Sequence, residues 1–466
     1  MEWDRRSRRI TEDSETDIST YLNLFQSMLK FSIPFLIACF LQSFYGLADL
    51  FIIGQFYGAD AVSAVSIGSQ IMHMLTVIIA GFTVGTTVSV GRLFGAAKRV
   101  QIGIYIGNSI VISGIVSVLF TAALIPATDT ILLILSTPTE SFLYAEKYLH
   151  ICFVGLPFIF FYNNISAVCR GFGDSRTPMR YVAVSGIINL GLDYLLIGYL
   201  RLGAGGAAIA TVASQTAAAA LSAFHLYRNK MLRIFREDLR IDRSVIGEMV
   251  SVGLPISIQD GLIQVSFLVI TAIANSRGVF ISAAVGIVEK LISFLFLVHS
   301  AMLSTVSVLS AQNAGAGRHE RSRRILMYGC RICLIYGILI FLIGQPASPA
   351  VMRLFSKAEP EVVRFGTQYL RAYLLDCIFA GIHFCFSGYF SSYGKSAYSF
   401  LHNILSILLI RIPGAYLATV LFPQNLYPMG LASGMGSIFS SIICLIIYRR
   451  KFSDPAAVFQ SRNLKY

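Results

Sequence analysis

The chain has 466 residues, 55% of them hydrophobic and 13% charged, with a formal net charge of +13. Soluble domains carry roughly 25% charged residues, so this composition, with a mean hydropathy of +0.69, excludes an ordinary water-soluble protein. The basic excess would fit a nucleic-acid partner by number, but its confinement to alternate loops, described below, excludes that reading too.

The first twenty residues are polar and include Arg5, Arg6, Arg8 and Arg9. No apolar core precedes a small-residue cleavage site, so no cleavable signal is expected and the first helix is expected to direct insertion. Beyond them come long apolar runs, for example 31–53, 102–124, 257–274 and 325–343. About 20 apolar residues span a bilayer as a helix, and in hydrocarbon the backbone must satisfy its own hydrogen bonds. Twelve helices are predicted, at 24–53, 61–90, 101–125, 143–168, 179–200, 205–227, 246–275, 281–310, 324–345, 367–392, 398–421 and 428–449.

Lys and Arg collect in every second loop: Arg92, Lys98 and Arg99; Arg170, Arg176 and Arg180; six between Arg228 and Arg243; Arg318, Arg321, Arg323 and Arg324; then Lys395 and Arg449 to Lys451. The opposite loops hold only Lys147, Arg201, Arg277, Arg353, Lys357 and Arg364. The positive-inside rule then places both termini in the cytoplasm of a plasma (inner) membrane protein. The basic charge marks topology and lipid headgroups.

The chain repeats itself. GADAVSAVSIGSQI at 58–71 resembles GVFISAAVGIVEKL at 278–291, GAAK at 95–98 resembles GAGR at 315–318, GDS at 173–175 resembles GKS at 394–396, and Pro34 matches Pro255. All four pairs share an offset of about 220 residues. The expected organisation is a tail (1–23), an N-lobe (24–227), a linker (228–245), a C-lobe (246–450) and a second tail (451–466). Six helices per copy give both copies the same orientation, related by an axis along the membrane normal with a cleft between them. The fold class is therefore all-α integral membrane, two pseudo-symmetric six-helix bundles.

Charges inside the membrane mark function by default. Asp49 and Asp193 both fall in the outer half of the first bundle, and Asn189 precedes Asp193 by one turn on the same face. With Asn163, Asn164 and Thr211 they compose an oxygen-rich ion-coupling pocket. Oxygen ligands suit Na⁺, and a close carboxylate pair suits a shared proton equally, so both ions remain open. An intramembrane Asn also glues helices, and a helical Thr also bonds its own backbone. Candidate substrate contacts are Gln42, Tyr45, Gln259, Asp260, Gln264, Glu289, Asp376 and Arg411. Glu289 is alternatively a partner of Lys290, and Asp376 alternatively an exposed residue near a helix end. Pro34 and Pro255 are candidate hinges, or static kinks. The 34 Phe and 22 Tyr would stack on flat organic cations.

The eight Cys are scattered through apolar runs, and Cys330 and Cys333 form a CxxC with no second ligand pair. No phosphate-binding loop is present and the His residues show no metal spacing, so no catalytic group, metal or cofactor is expected.

YGLADLFIIGQFYGADAVSAVSIGSQI (45–71), CRGFGDSRTP (169–178), RLGAGGAAIATVASQ (201–215), SAQNAGAG (310–317) and RIPGAYL (411–417) together resemble the motifs of MATE (multidrug and toxic compound extrusion) transporters. The resemblance runs from about residue 24 to 450. It implies two six-helix lobes in a V and export of cationic or amphipathic compounds in exchange for H⁺ or Na⁺. In the branch resembling the DinF type, an Asp of helix 1 and an Asn-x-x-x-Asp pair of helix 5 serve the ion. Those positions match Asp49, Asn189 and Asp193, with Thr211 and Asn163 or Asn164 matching the family's helix 6 Thr and helix 4 Asn. The NorM-like branch uses acids of helices 7 and 10. Here Ile263 or Gln264 and Gly381 stand near those places, with Asp260 and Asp376 about a turn away. The expectation is a monomeric multidrug antiporter coupled through the N-lobe, contacting small amphipathic compounds and membrane lipid. The alternatives are a lipid-linked-precursor flippase, which would line its cleft with cations such as Arg411 and Lys290, an exporter of one endogenous metabolite, or a non-transporting scaffold.

Overall fold

The computed structural model describes residues 17–135, 137–228, 235–356 and 359–463. Most of the expected amino-terminal tail, linker residues 229–234 and Lys357 lie outside the described residues. All regular elements among the described residues are helical. They are α1 (Asp17–Phe56), α2 (Ala59–Gly95), α3 (Arg99–Ile134), α4 in two halves (Thr139–Val154 and Leu156–Gly171), α5 (Arg176–Tyr199) and α6 (Gly203–Arg228). There follow α7 (Arg243–Asn275), α8 (Val279–Gly315), α9 (His319–Phe355), α10 (Pro360–Ser392), α11 (Ser396–Leu421), α12 (Tyr427–Lys451) and a terminal α13 (Pro455–Asn463). Eleven are long and apolar enough to cross a membrane, and α4, bent by 48° between its halves, makes the twelfth.

Several helices outrun their predicted limits because prolines do not stop them. α3 passes through Pro126 and α9 through Pro346 and Pro349. A helical proline leaves the carbonyl four residues back without its N–H, and inside a membrane some other donor must meet it. Three such donors are present. The carbonyl freed by Pro349, that of Gln345, accepts from Arg371 Nε at 2.9 Å. The Phe153 carbonyl freed by Pro157, at the α4 bend, accepts from Thr121 Oγ1 at 3.0 Å. The Ser251 carbonyl freed by Pro255 accepts from Ser396 Oγ at 3.1 Å. The tail expected after residue 450 also differs, because α13 folds back. Its Phe459 packs with His319 and Tyr393 and lies under the Arg92 guanidinium.

The internal repeat is visible in backbone geometry. Gly173 and Gly394, matched in sequence, both take the left-handed region, at φ +82° and +69°. Gly317 does so at φ +72°, and its counterpart Ala97 at φ +55°, where a side chain makes the conformation costly.

Call the end where α1 begins and α12 ends the near side. The far-side cores are separate. One cluster, including Ile53, Val65, Tyr148, Phe153 and Ala208, draws only on α1–α6, and another, including Ile270, Val285, Tyr369 and Met429, only on α7–α12. Mixed cores occur towards the near side: Val88 with Val252, Ile256 and Ala311, and Leu24 and Met28 of α1 with Met302, Val306 and Ala314. Two reciprocal glycine contacts close that side. A Cβ on Gly85 would strike the Met249 carbonyl and one on Gly253 the Phe82 carbonyl; likewise Gly95 meets the Gln312 carbonyl and Gly315 that of Arg92. Ser257 Oγ donates to the Ile78 carbonyl at 2.8 Å, near mid-depth. The two bundles thus form a V, joined near and parted far.

Candidate functional site: a buried carboxylate pair in the first bundle

Asp49 lies seven residues before Phe56, the far end of α1, and Asp193 six before Tyr199, the far end of α5. At 1.5 Å per residue both sit about 10 Å below the far surface. Asp193 closes the α-helical part of α5, and from Tyr194 the helix widens to π geometry. Such a widening is frequent at functional sites, since it re-aims the side chains beside it.

The two carboxyls adjoin each other, with Asn189 and Thr211 against Asp49. Thr211 Oγ1 donates 3.4 Å to Asp49 Oδ2, and also lies 3.0 Å from the Ala207 carbonyl. Asp49 and Asp193 are 4% and 0% exposed. Yet Asp49 Oδ1, both Asp193 oxygens and Asn189 Oδ1 have no hydrogen-bond partner among the described residues. Burying polar atoms unpartnered is costly. Four buried acceptor oxygens thus stand without a donor at the carboxylate pair.

Tyr148 of α4 completes the wall. Its ring is buried, and its hydroxyl is placed with Thr211 and Cys152 beside Asp49. Gly68 on α2 makes the room, since a Cβ there would overlap the Tyr148 ring. Sequence reading missed Tyr148, because a Tyr in an apolar segment carries no marker, although Gly68 inside a repeated motif was a clue.

The other candidates scatter. Asn164 bonds Ser109 Oγ (2.9 Å) and Thr86 Oγ1 (3.1 Å), and Asn163 donates to its own helix at the Ile159 carbonyl (2.9 Å). Both lie toward the near side of the α4 bend and do not reach the pair; Asn164 ties α4 to α2 and α3, and Asn163 bonds its own helix. Tyr45 donates to the Val182 carbonyl and its ring fills the space over Gly186, which turns it into α1–α5 packing and away from the cleft. Gln42 is exposed on α1, beside a stripe of exposed Ile33, Ile37, Phe40, Phe44, Leu47 and Phe51 whose Phe40 meets Phe294 of α8 at 6.1 Å.

In the second bundle Asp376 is fully buried and not near a helix end. Arg411 Nη2 reaches both its oxygens at 3.2 and 3.4 Å, and Ser437 at 2.9 Å. Arg411 is therefore an internal counter-ion and not a cleft contact. Glu289 pairs with Thr271, which donates at 2.8 Å, while Lys290 faces outward. Asp260 stands at the α2–α7 seam, where a Cβ on Gly81 would touch its carboxylate, and Gln259 is its neighbour at 3.5 Å. Gln264 is half-buried on α7. Among the described residues no three His, Cys, Asp or Glu gather as a metal site.

The two repeated bundles match a known family. Its model, MatE, fits twice, at residues 34–195 and 255–417. The chain belongs to the MATE family. A probable multidrug resistance protein, YpnP of Bacillus subtilis (strain 168), is 29% identical over 432 residues, 92% of this chain and 95% of that one. A protein of Shewanella oneidensis named FAD transporter is 25% identical over 91% of this chain and 94% of its own length. Among solved structures, a MOP superfamily transporter from Pyrococcus furiosus superposes with a TM-score of 0.87 at 21% identity, covering 94% of this chain and 99% of that one. An outward-facing multidrug resistance MATE transporter gives 0.86, also at 21%, covering 96% and 100%. These likenesses establish the MATE fold of a multi-pass membrane protein.

Proposed function

We propose that this MATE protein is a secondary exporter in which H⁺ or Na⁺ entering the Asp49–Asp193 pocket drives a small amphipathic or cationic compound out of the cell. The observation that carries this reading is the set of four buried, unpartnered acceptor oxygens of Asp49, Asn189 and Asp193. The relatives named for multidrug resistance support the substrate class. The charge bias of the loops supports a cytoplasmic near side, so the far side, where the bundles part, faces outward. The arrangement fits a DinF-like coupling site, with Asp260, Gln264 and Gln42 along the cleft and Pro34 and Pro255 as hinges.

In this reading the outward-open protein takes the cation between Asp49 and Asp193, the α1 face carrying Asp49 shifts, and the drug leaves. The bundles then rock to open the near side. The cation can shift this equilibrium only by binding the two states with different affinity. No chemical step is involved, so the protein acts as a monomeric carrier and not as an enzyme.

The test is ethidium efflux by purified protein in vesicles under separate pH and Na⁺ gradients. One gradient should drive efflux in wild type and fail in Asp49→Asn. Equal efflux by Asp49→Asn across pH and sodium concentration would sink the proposal. A second reading, export of a single endogenous metabolite by the same mechanism, is favoured by the relative named FAD transporter, and flux of FAD in the same vesicles tests it.

A further inference from the structure

A groove of about 300 Å³ opens between the near ends of α1 and α5, lined by Gln26, Leu29, Lys30, Ile33, Pro34 and Arg176. Leu29, Ile33 and Pro34 make it apolar, and the two cations stand exposed at its edge. Lys30 is 26 residues from Phe56 and Arg176 is 23 from Tyr199. Those lengths are about 39 and 35 Å of helix, and a bilayer is roughly 40–45 Å thick with its headgroups. Both cations therefore sit at the near-side headgroup level, with the apolar floor beside them.

A proline lies in the same groove. Pro34 withdraws the N–H that would meet the Lys30 carbonyl one turn back. Side chains meet the carbonyls freed by Pro157, Pro255 and Pro349. No side chain among the described residues donates to the Lys30 carbonyl. The groove thus offers two cations for a phosphate and apolar walls for acyl chains. Asp174, two residues before Arg176, is committed to the α5 amino terminus, accepting from Arg176 N, Thr177 N and Thr177 Oγ1.

We propose that this groove binds the headgroup of an anionic phospholipid, with phosphatidylglycerol, an anion with two acyl chains, the match to its two cations and apolar walls. Basic pockets between helices on the cytoplasmic side are suited to such headgroups. The site lies where α1 leaves the first bundle, since Leu24 and Met28 already pack in a core of the second, so an occupant would touch the helix that carries Asp49.

The experiment is native mass spectrometry of the full chain titrated with phosphatidylglycerol or phosphatidylcholine of identical chains. Each cation near a charged surface is worth about fivefold, so wild type should prefer phosphatidylglycerol by roughly 30-fold. The double variant Lys30→Gln/Arg176→Gln should lose that preference, while Arg449→Gln/Arg450→Gln, which removes two near-side cations elsewhere, should keep it. Lys30 and Arg176 are exposed, so an unchanged melting temperature should confirm folding. The proposal is overturned if wild type shows no preference, if the double variant keeps it, or if glycerol phosphate without acyl chains displaces the lipid at equal concentration. This binding assay does not depend on transport.

Discussion

Arg92 of α2 reaches Glu248 of α7 at 3.1 Å, tying the first bundle to the second on the near side. Tyr105 of α3 donates to the same carboxylate, and Arg92 Nε donates 2.8 Å to the Ser392 carbonyl of α10. Breaking a largely buried pair leaves a charge uncompensated, at up to about 3–5 kcal/mol, and opening the near side would hydrate it. Glu248→Gln should therefore shift the population toward a near-side-open state. Spin labels at Val100→Cys and Glu320→Cys in a cysteine-free background should report a longer distance component. An unchanged distribution would show that the tie does not hold the bundles closed.

The acid pair should behave as one unit. Asp49→Asn and Asp193→Asn should each lower ion-driven efflux at least about tenfold, and the double variant should be little worse, because residues sharing a network are non-additive. Thr211→Val removes one hydrogen bond, worth about 0.5–1.5 kcal/mol, and should weaken the apparent ion affinity about two- to tenfold. Asn163→Ala should transport near the wild-type rate. Efflux measured against ion concentration separates these cases.

Gly68 and Tyr148 should be coupled. Gly68→Ala places a methyl in the Tyr148 ring and should impair transport, while Gly68→Ala/Tyr148→Leu should recover folding stability lost in the single variant. A melting series checks the stability claim, and failure of the second substitution to help would place the defect elsewhere.

Arg411→Leu should destabilise by about 3–5 kcal/mol, because Asp376 is left buried and unpaired. Asp376→Leu/Arg411→Met removes both charges and should restore much of that loss, since an apolar replacement of a buried pair is often neutral. Melting curves in detergent would show it. If the single and double variants melt alike, the pair carries no structural weight.

The fold and its repeat were largely legible, because hydropathy, loop charge and the shared offset each follow from the bilayer or from chain duplication. That Asp49, Asn189, Asp193 and Thr211 would meet was legible because an acid in hydrocarbon is costly and so stands out. Asn163 and Asn164 were not, since an Asn that glues helices and one that binds an ion look alike in sequence. Arg411 and Asp376 are 35 positions apart, and nothing local tells that they meet. The carbonyls freed at the α4 bend and at Pro349 of α9 are met by Thr121 and Arg371, donors from other helices that no window around a proline contains.

The reciprocal contacts Gly85–Met249, Gly253–Phe82, Gly95–Gln312 and Gly315–Arg92 bring bare backbone against backbone. Dispersion between such surfaces loses about a quarter to a half of its strength when they part by up to about an ångström. A seam of this kind is either shut or unzipped, with little to hold it half-way. Intermediate tilts of the two bundles would then be short-lived, and the protein would seldom leave a continuous leak for ions from one side of the membrane to the other.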